Sequence, residues 1–337
     1  MDTHEHIEVA VLLATYNGSK YIEQQIRSLA ENVKPFTLHW LDDHSADDTR
    51  KLVRACVQNA NISLREWHQP QHQGLPDSYF QLLECVEADV YLFCDQDDIW
   101  QPGKIDATVN YLACHIGSPA LCYSDSILYY EGGLKRPCRF SQLRGIKDLA
   151  RASRQPPTFL CFSPVQAAGH TQGFTRSLRE IYLTHRDLAR KYAPMHDLWM
   201  HDIAVAAGTV HMLVEAPTVL WRQHLDSYCG RAFREPISNR ITARWRGLQR
   251  FRRIMSRHLQ GVALASQTLP AGRERDRLLE LAKLVANIDQ RQTMSELASL
   301  VRRGAKFPRW SVTALLFLAC LCSAATSHEP EGRVPVR

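Results

Sequence analysis

The sequence predicts an α/β protein built on a mostly parallel sheet with helices on both faces. Three observations carry this. Apolar runs bounded by polar residues recur at Ile7 to Leu13, Phe36 to Leu41, Ile62 to Trp67 and Asp89 to Cys94, each of strand length. A stretch with helical spacing follows each run, so strand and helix alternate four times. Three of the four runs end in polar or acidic side chains: Thr15 to Asn17, Asp42 with Asp43, and Asp95 with Asp97. The carboxyl ends of strands are where open α/β sheets bind ligands.

Taken in order, Ile7 to Leu13 reads as a buried strand ending at Ala14-Thr15-Tyr16-Asn17-Gly18. Tyr21, Ile22, Ile26 and Leu29 then predict a helix over Ser19 to Glu31. A helix N-terminus beside such a turn can receive a phosphate or a base edge. The turn is neither Gly-x-Gly-x-x-Gly nor a Walker loop, so no dinucleotide fingerprint or P-loop is present. Phe36 to Leu41 ends at Asp42-Asp43-His44-Ser45, and Asp47, Asp48 and Thr49 open a helix, the acids suiting its dipole. Ser45 or Asp47 reads as a simple cap. Asp42 and Asp43, at the strand tip, read as nucleotide contacts. A third strand, Ile62 to Trp67, leads through His72-Gln73-Gly74 to a helix over Pro76 to Glu87. The strand Asp89 to Cys94 then stops at three carboxylates, Asp95, Asp97 and Asp98, before a helix over Pro102 to His115. Asp-x-Asp sets two hard oxygen ligands on one turn, which suits Mg²⁺ or Mn²⁺ shared with substrate phosphates. Taken in isolation it would be a solvated acidic turn.

Bulk composition is that of a globular protein: 337 residues, 45% hydrophobic and 23% charged, enough for one large or two modest domains. Ten cysteines lie scattered without a Cys-x-x-Cys pair, which is no zinc signature and no compact disulfide framework. Reduced thiols in a cytosolic protein are the expectation. The acidic N-terminus lacks the basic region of a signal peptide.

Ala-Thr-Tyr-Asn-Gly, Asp-Asp-x-Ser-x-Asp-x-Thr and Asp-Gln-Asp-Asp-Ile-Trp, in this order, resemble the inverting family 2 glycosyltransferases, in particular the bacterial rhamnosyltransferase-like branch of surface-polysaccharide synthesis. The resemblance spans residues 7–230. It implies a GT-A fold, a nucleotide-diphosphate sugar donor (dTDP- or UDP-linked), a glycan or lipid-linked acceptor and Mn²⁺ or Mg²⁺. Carried over by position, Ala14, Thr15, Tyr16, Asn17, Asp42, Asp43, Asp95 and Gln96 would hold the nucleotide, and Asp95, Asp97 and His224 the metal. Met195-His196-Asp197-Leu198-Trp199 resembles the family's His-Asp-Trp-Trp segment, with Leu198 in place of the first Trp. Asp197 is then the base that takes the acceptor proton, as inversion requires of one carboxylate. Its bland alternative is a cap for the helix running to Ala207, and Asp202 is a rival base. Trp221-Arg222-Gln223-His224 resembles Tyr-Arg-Gln-His; Arg222 suits the diphosphate and His224 the metal. His44 stands where the family has Gly, and Gln73 where Asn precedes the Gly.

Between these motifs, Ala120 to Tyr130 reads as one strand containing Ser124-Asp125, and Ser177 to Leu188 as one helix preceded by Gly169-His170-Thr171-Gln172-Gly173. Thr209 to Glu215 and Pro217 to Trp221 read as strands. After Gly230 the character changes: Arg231 to Arg257 holds nine arginines and a single acid, Glu235. Trp245, Leu248, Met255 and Leu259 recur among them at helical spacing. A basic amphipathic helix reads as membrane-surface binding. A packing helix or a nucleic-acid patch are the alternatives, and no nucleic-acid module accompanies the arginines. Ser311 to Ser327 is uncharged and apolar, short of the ~20 residues of a full span, so it reads as an interfacial anchor or a core helix. The expected organisation is a catalytic domain over 1–230, a basic helical extension over 231–310 and a membrane-associating tail over 311–337, on the cytoplasmic face of the cell membrane. Two other functions remain: a non-catalytic membrane-associated nucleotide- or glycan-binding protein, and a sugar nucleotidyltransferase. The latter would want a Gly-rich basic loop after the first strand, which Thr15-Tyr16-Asn17-Gly18 is not.

Overall fold

A computed structural model of the chain describes residues 7–130, 138–143, 148, 150, 167–215, 219–224, 254–272, 275, 276 and 279. The arginine-rich stretch 231–253 and the apolar stretch 311–327, with the membrane readings attached to them, lie outside the described residues. Among the described residues no helix is long and apolar enough to cross a membrane.

The alternation expected of the first third is present. Strands β1 (Val9–Thr15), β2 (Thr37–Asp42), β3 (Ser63–Trp67) and β4 (Val90–Cys94) alternate with helices α1 (Ile22–Leu29), α2 (Thr49–Asn59) and α3 (Asp77–Cys85). They pair in parallel, with β1 between β2 and β4. Both faces of β1 are covered: Val9, Val11 and Leu13 pack with α1 and α2, while Ala10 and Leu12 pack with α3. That follows from the period of two along a strand and explains why the run is continuously apolar rather than alternating. The same double burial holds for β4, whose five residues are all buried.

After β4 come β5 (Ile99–Trp100), α4 (Lys104–Ala113), β6 (Ala120–Ser124), β7 (Ser126–Tyr130), β8 (Cys138–Arg139) and α5 (Phe140–Leu143). The single strand expected over Ala120 to Tyr130 is thus two strands in two sheets. The reason is Asp125, 4% exposed, whose carboxylate accepts from Ser126 N at 3.0 Å and from Ser141 N and Oγ at 3.2 and 2.6 Å. Those bonds turn the chain out of the main sheet and into a second sheet ordered β5-β11-β7-β8.

Beyond the turn Gly169–Thr171 lie β9 (Gly173–Thr175), α6 (Arg176–Thr184), α7 (Arg186–Tyr192), α8 (His196–Ala207), β10 (Thr209–Leu213) and β11 (Val219–Gln223). The helix expected over Ser177 to Leu188 breaks at His185, the residue between α6 and α7; its ring meets Ile181 O and, at 2.7 Å, Thr268 Oγ1. Strand β9 has no counterpart in the sequence reading. It completes a seven-stranded sheet, β10-β6-β9-β4-β1-β2-β3, and is antiparallel to both neighbours.

Helix α9 (254–266) lies in the segment expected to be an extension, yet Leu259, Val262 and Ala265 are buried in the same core as α3, α6 and α8. A buried polar link adds to that packing. Asp202, fully buried in α8, meets His201 Nδ1 at 2.9 Å and His258 Nε2 of α9 at 3.1 Å. Burial opposes ionisation of Asp202, but the hydrogen bonds from His201 and His258 outweigh it and hold the carboxyl below its ordinary value. A depressed carboxylate stabilises the fold above its unfolded-state pKa, and that contribution is lost as the pH falls through the folded value. Asp202→Asn should therefore cost on the order of 3 kcal/mol at pH 7. The gap in thermal midpoint between variant and parent should narrow below about pH 4, which melting curves at pH 7 and pH 3 would check.

Candidate active site

The tips of β1, β2 and β4 converge, as the parallel register requires. At the β1 tip, Tyr16 N donates to Gln96 Oε1 at 2.9 Å and Gln96 Nε2 donates back to Tyr16 O at 3.1 Å. This clasp ties the first turn to the fourth strand. A Cβ on Gly18 would lie 2.3 Å from Gln96 Oε1, so only glycine lets the clasp form. Asn17, at φ 47°, donates its N–H to Ser45 Oγ at 2.9 Å, and its Oδ1 accepts from Ala46 N at 2.8 Å. The Tyr16 ring is 46% exposed and packs at a tilt of 35° against His72, with centroids 4.4 Å apart.

Three expected nucleotide contacts turn their side chains inward. Thr15, 1% exposed, donates to Asp42 Oδ1 at 2.8 Å and accepts from Trp40 Nε1 at 2.9 Å. Asp42 also accepts from Ser45 N and Oγ at 2.9 and 2.6 Å. Asp43, 3% exposed, accepts from Gln73 N at 2.9 Å, Gly74 N at 2.7 Å and the Gln69 amide, and lies 2.9 Å from His72 Nδ1. A carboxylate that accepts this many bonds fixes a loop. In the structure these side chains fix the loops at the tips of β1 and β2. Asp47 bridges two elements: it accepts from Thr49 N at 3.0 Å as a cap does, and also from Ser19 N at 3.1 Å. The family departures fit this frame. His44 sits at φ 62°, the left-handed region in which glycine is unstrained, and its Nε2 lies 2.9 Å from Gln69 O. Gln73 is used through its backbone N–H, which its side chain does not alter.

At the β4 tip each carboxylate meets a distant segment. Asp97 Oδ2 lies 2.8 Å from His224 Nε2, so the structure brings these two expected metal ligands together. Asp95 faces elsewhere. Tyr79 OH of α3 bonds Cys94 O at 2.7 Å and Asp95 Oδ1 at 3.0 Å, and Asp95 Oδ2 is 3.6 Å from His170 Nδ1. The same nitrogen is 3.5 Å from Asp98 Oδ2. Burial pushes the Asp98 carboxyl up to about 8, with the charges of Asp97 and Asp95 adding to it against the pull of His170. For Asp95 burial acts the same way, but His170, His196 and the Tyr79 hydroxyl outweigh it and hold the group below its ordinary value.

Arg222, expected at the diphosphate, is 3% exposed, and its guanidinium lies over the rings of Tyr21 and Tyr129. Its Nε donates to Asp97 O at 2.7 Å and its terminal nitrogen to Gln24 Oε1 at 2.6 Å, while its backbone N–H donates to Asp98 Oδ1 at 2.9 Å. The cause is the β5–β11 pairing, Leu220 opposite Ile99, which presses Arg222 against the acidic turn.

Asp197 is the second residue of α8. Its Oδ1 accepts from Leu198 N at 2.8 Å and its Oδ2 from Gly169 N at 2.9 Å. It is half-buried and next to the turn that carries His170. The rival Asp202 is fully buried and committed to two histidines, which removes it as a base. Beneath Asp197, His196 stacks on Tyr79 with centroids 3.9 Å apart, and burial lowers its pKa. Three residues of this site received no role from the sequence: Tyr79, Asp98 and His170. The only signal for them was that Asp98 completes the acidic run and His170 sits in the Gly-His-Thr-Gln-Gly segment.

The donor chemistry suits a divalent cation. One donor set is Asp97 with His224. A second is Asp95, Asp98 and His170, whose nearest ligand atoms all lie within 4.8 Å of one another.

Residues 10–136 match the family model described as Glycosyl transferase family 2. The chain is similar to the dTDP-rhamnosyl transferase RfbG of Shigella flexneri, 25% identical over 233 residues, covering 65% of this chain and 73% of that one. It is also similar to a putative teichuronic acid biosynthesis glycosyltransferase, TuaG, of Bacillus subtilis, 24% identical over 31% of this chain and 41% of that one. Among solved structures, S. aureus TarS 1-349 in complex with UDP-GlcNAc superposes with a TM-score of 0.56 at 15% identity, covering 93% of this chain and 79% of that one. The mannosyltransferase PcManGT from Pyrobaculum calidifontis, in complex with GDP-Man and Mn²⁺, gives 0.53 at 14% identity over 96% and 89%. At these identities the structures establish the shared GT-A-like fold.

The Arg222 contacts yield a test. Arg222→Met should lower stability by about 2–3 kcal/mol, read by chemical denaturation. Arg222→Lys should recover little of it, because an ammonium cannot make the guanidinium's forked bonds.

Proposed function

From the match of residues 10–136 to glycosyl transferase family 2 and the similarity to RfbG, we propose an inverting, metal-dependent transfer of a sugar from a nucleotide-diphosphate donor to a glycan or lipid-linked acceptor in surface-polysaccharide synthesis. One observation carries the proposal. The turn Gly169–Thr171 holds the Asp197 carboxylate through Gly169 N and sets His170 against the donor-side carboxylates Asp95 and Asp98. Donor-side acids and the base candidate thus meet at one turn.

In this reading the nucleotide lies over the tips of β1, β2 and β4, against Ala14, Tyr16, Asn17, Asp95 and Gln96. Thr15, Asp42 and Asp43 hold the pocket walls. The exposed Tyr16 ring offers a stacking face to the base. Asp97 and His224 would hold Mn²⁺ or Mg²⁺, whose chemistry is to neutralise the diphosphate as it leaves. Arg222 positions that pair from behind. Asp197 takes the acceptor hydroxyl proton as that oxygen attacks the anomeric carbon. The bond from this carbon to the diphosphate oxygen breaks with its electron pair on the leaving group, and the centre inverts. No covalent enzyme intermediate forms.

A dTDP-linked rhamnose is the donor favoured by similarity to RfbG; a UDP-linked sugar is the alternative. The arginine-rich stretch from Arg231 and the apolar tail from Ser311 would place the reaction at the inner face of the membrane, where lipid-linked acceptors lie.

Thermal unfolding with dTDP, UDP, GDP and NAD, with and without Mn²⁺, tests the donor assignment, since a bound ligand raises the midpoint by mass action. A metal-dependent rise with dTDP or UDP is expected. No rise with any diphosphate would favour a non-catalytic protein. Asp197→Asn should keep the nucleotide-induced rise and lower transfer by about 10²-fold or more; unchanged turnover in a radiolabelled-sugar assay would remove Asp197 as the base.

A further inference from the structure

The aromatic side chains that β11 and α5 bring to the turn Gly169–Thr171 have no part in the transfer chemistry. Trp221, half-buried on β11, has its ring centroid 5.4 Å from that of His170, at 35°, and 5.4 Å from that of Phe140, at 68°. Neither ring lies parallel to the indole. His170 Nδ1 is in turn 3.6 Å from Asp95 and 3.5 Å from Asp98, and the neighbouring Gly169 N bonds Asp197. Trp221 is therefore one ring removed from the donor-side acids and meets the turn that holds the base candidate.

Strand geometry says what stands beside it. Side chains alternate along a strand, so Trp221 and Gln223 project from one face of β11 and Arg222 from the other. β7 runs parallel to β11, with Leu128 beside Trp221 and Tyr130 beside Gln223, and side chains paired in this way share a face. Leu128 is buried, while Trp221, Gln223 and Tyr130 are each only half-buried. An indole with a carboxamide and a phenol next to it suits a ligand that is apolar on one face and polar at its rim. A pyranose is such a ligand, with C–H groups across one face and hydroxyls around the edge. The electron-rich indole face attracts the C–H groups, and the amide and phenol can exchange hydrogen bonds with the hydroxyls.

We infer that Trp221 is the platform for the sugar ring that receives the transfer, so that the acceptor is a glycan ending in a pyranose and not a bare lipid phosphate or an acyclic alcohol. The inference rests on the transfer proposed above, in which Asp197 serves the acceptor hydroxyl. Trp221 is a binding residue there and moves no proton.

The test needs no turnover. Full-length protein is mixed with the methyl pyranosides of rhamnose, glucose, galactose and N-acetylglucosamine, or with sorbitol, and saturation-transfer difference NMR reports binding. At least one pyranoside should bind, with the largest transfer at its ring C–H protons, and sorbitol should not. Trp221→Leu keeps an apolar strand residue but removes the ring, and should weaken that binding at least about 5-fold. Trp221→Phe should retain most of it. Both variants should keep the thermal rise given by dTDP or UDP with Mn²⁺. Gln223→Ala, on the same face, should weaken the pyranoside about 3-fold and carries the reading if Trp221→Leu does not fold. Binding unchanged in the folded variants would overturn the inference, as would a protein that binds no pyranoside or takes sorbitol equally well. So would a pyranoside displaced by dTDP-rhamnose or UDP-glucose but not by the free nucleotide, since the ring would then occupy the donor's sugar pocket. A protein with no nucleotide-induced rise that still binds a pyranoside through Trp221 would count against the proposed transfer and for the platform.

Discussion

The site depends on one long-range constraint, the docking of β11 on the acidic turn after β4. Three carboxylates within four residues repel one another, and in a low-dielectric setting that repulsion is severe. The fold answers them from two places. Asp97 meets His224 and Asp98 meets the backbone N–H of Arg222, both brought by β11, while Asp95 meets Tyr79 of α3. The guanidinium of Arg222 then bonds Asp97 O. Without the β5–β11 pairing Asp97 and Asp98 would lose the partners that β11 brings.

Much of this was legible in the sequence, and the limit has a physical cause. The parallel half could be read because each strand is apolar on both faces and each helix carries its own periodic stripe. Strand β9 could not, because three residues, Gly173–Thr175, hold no local pattern; they are a strand only because β4 and β6 leave a gap for them. The split at Asp125 was hidden for a similar reason, since the bonds that turn the chain come from Ser141. In the site, the motif positions were readable but not the direction of each side chain. Arg222, expected at the diphosphate, also bonds the backbone of the acidic turn at Asp97 O. Asp98 and His170 lie far apart in sequence, and their approach is a product of the fold.

A distinction follows between residues that line a pocket and residues that build it. Asp42 and Asp43 look like ligand contacts in sequence, because acids at a strand tip are usually solvated. Here their oxygens serve backbone N–H groups of neighbouring loops. His44 shows how a family position can change residue without changing shape. It accepts a left-handed backbone, which costs a non-glycine residue about 1–2 kcal/mol, and its ring ties the loop to Gln69 O in return.

Strand β9 also bears on how the chain is made. It enters the sheet between β4 and β6, although it is translated after both. As the polypeptide emerges from the ribosome, β4 and β6 therefore wait with a vacant slot between them, each showing unpaired backbone groups of the kind that recruit foreign strands. The segment 10–136 that carries the family match ends before β9. The turn just before that strand carries Gly169 and His170. The strand that fills the gap in the sheet thus also brings part of the candidate active site.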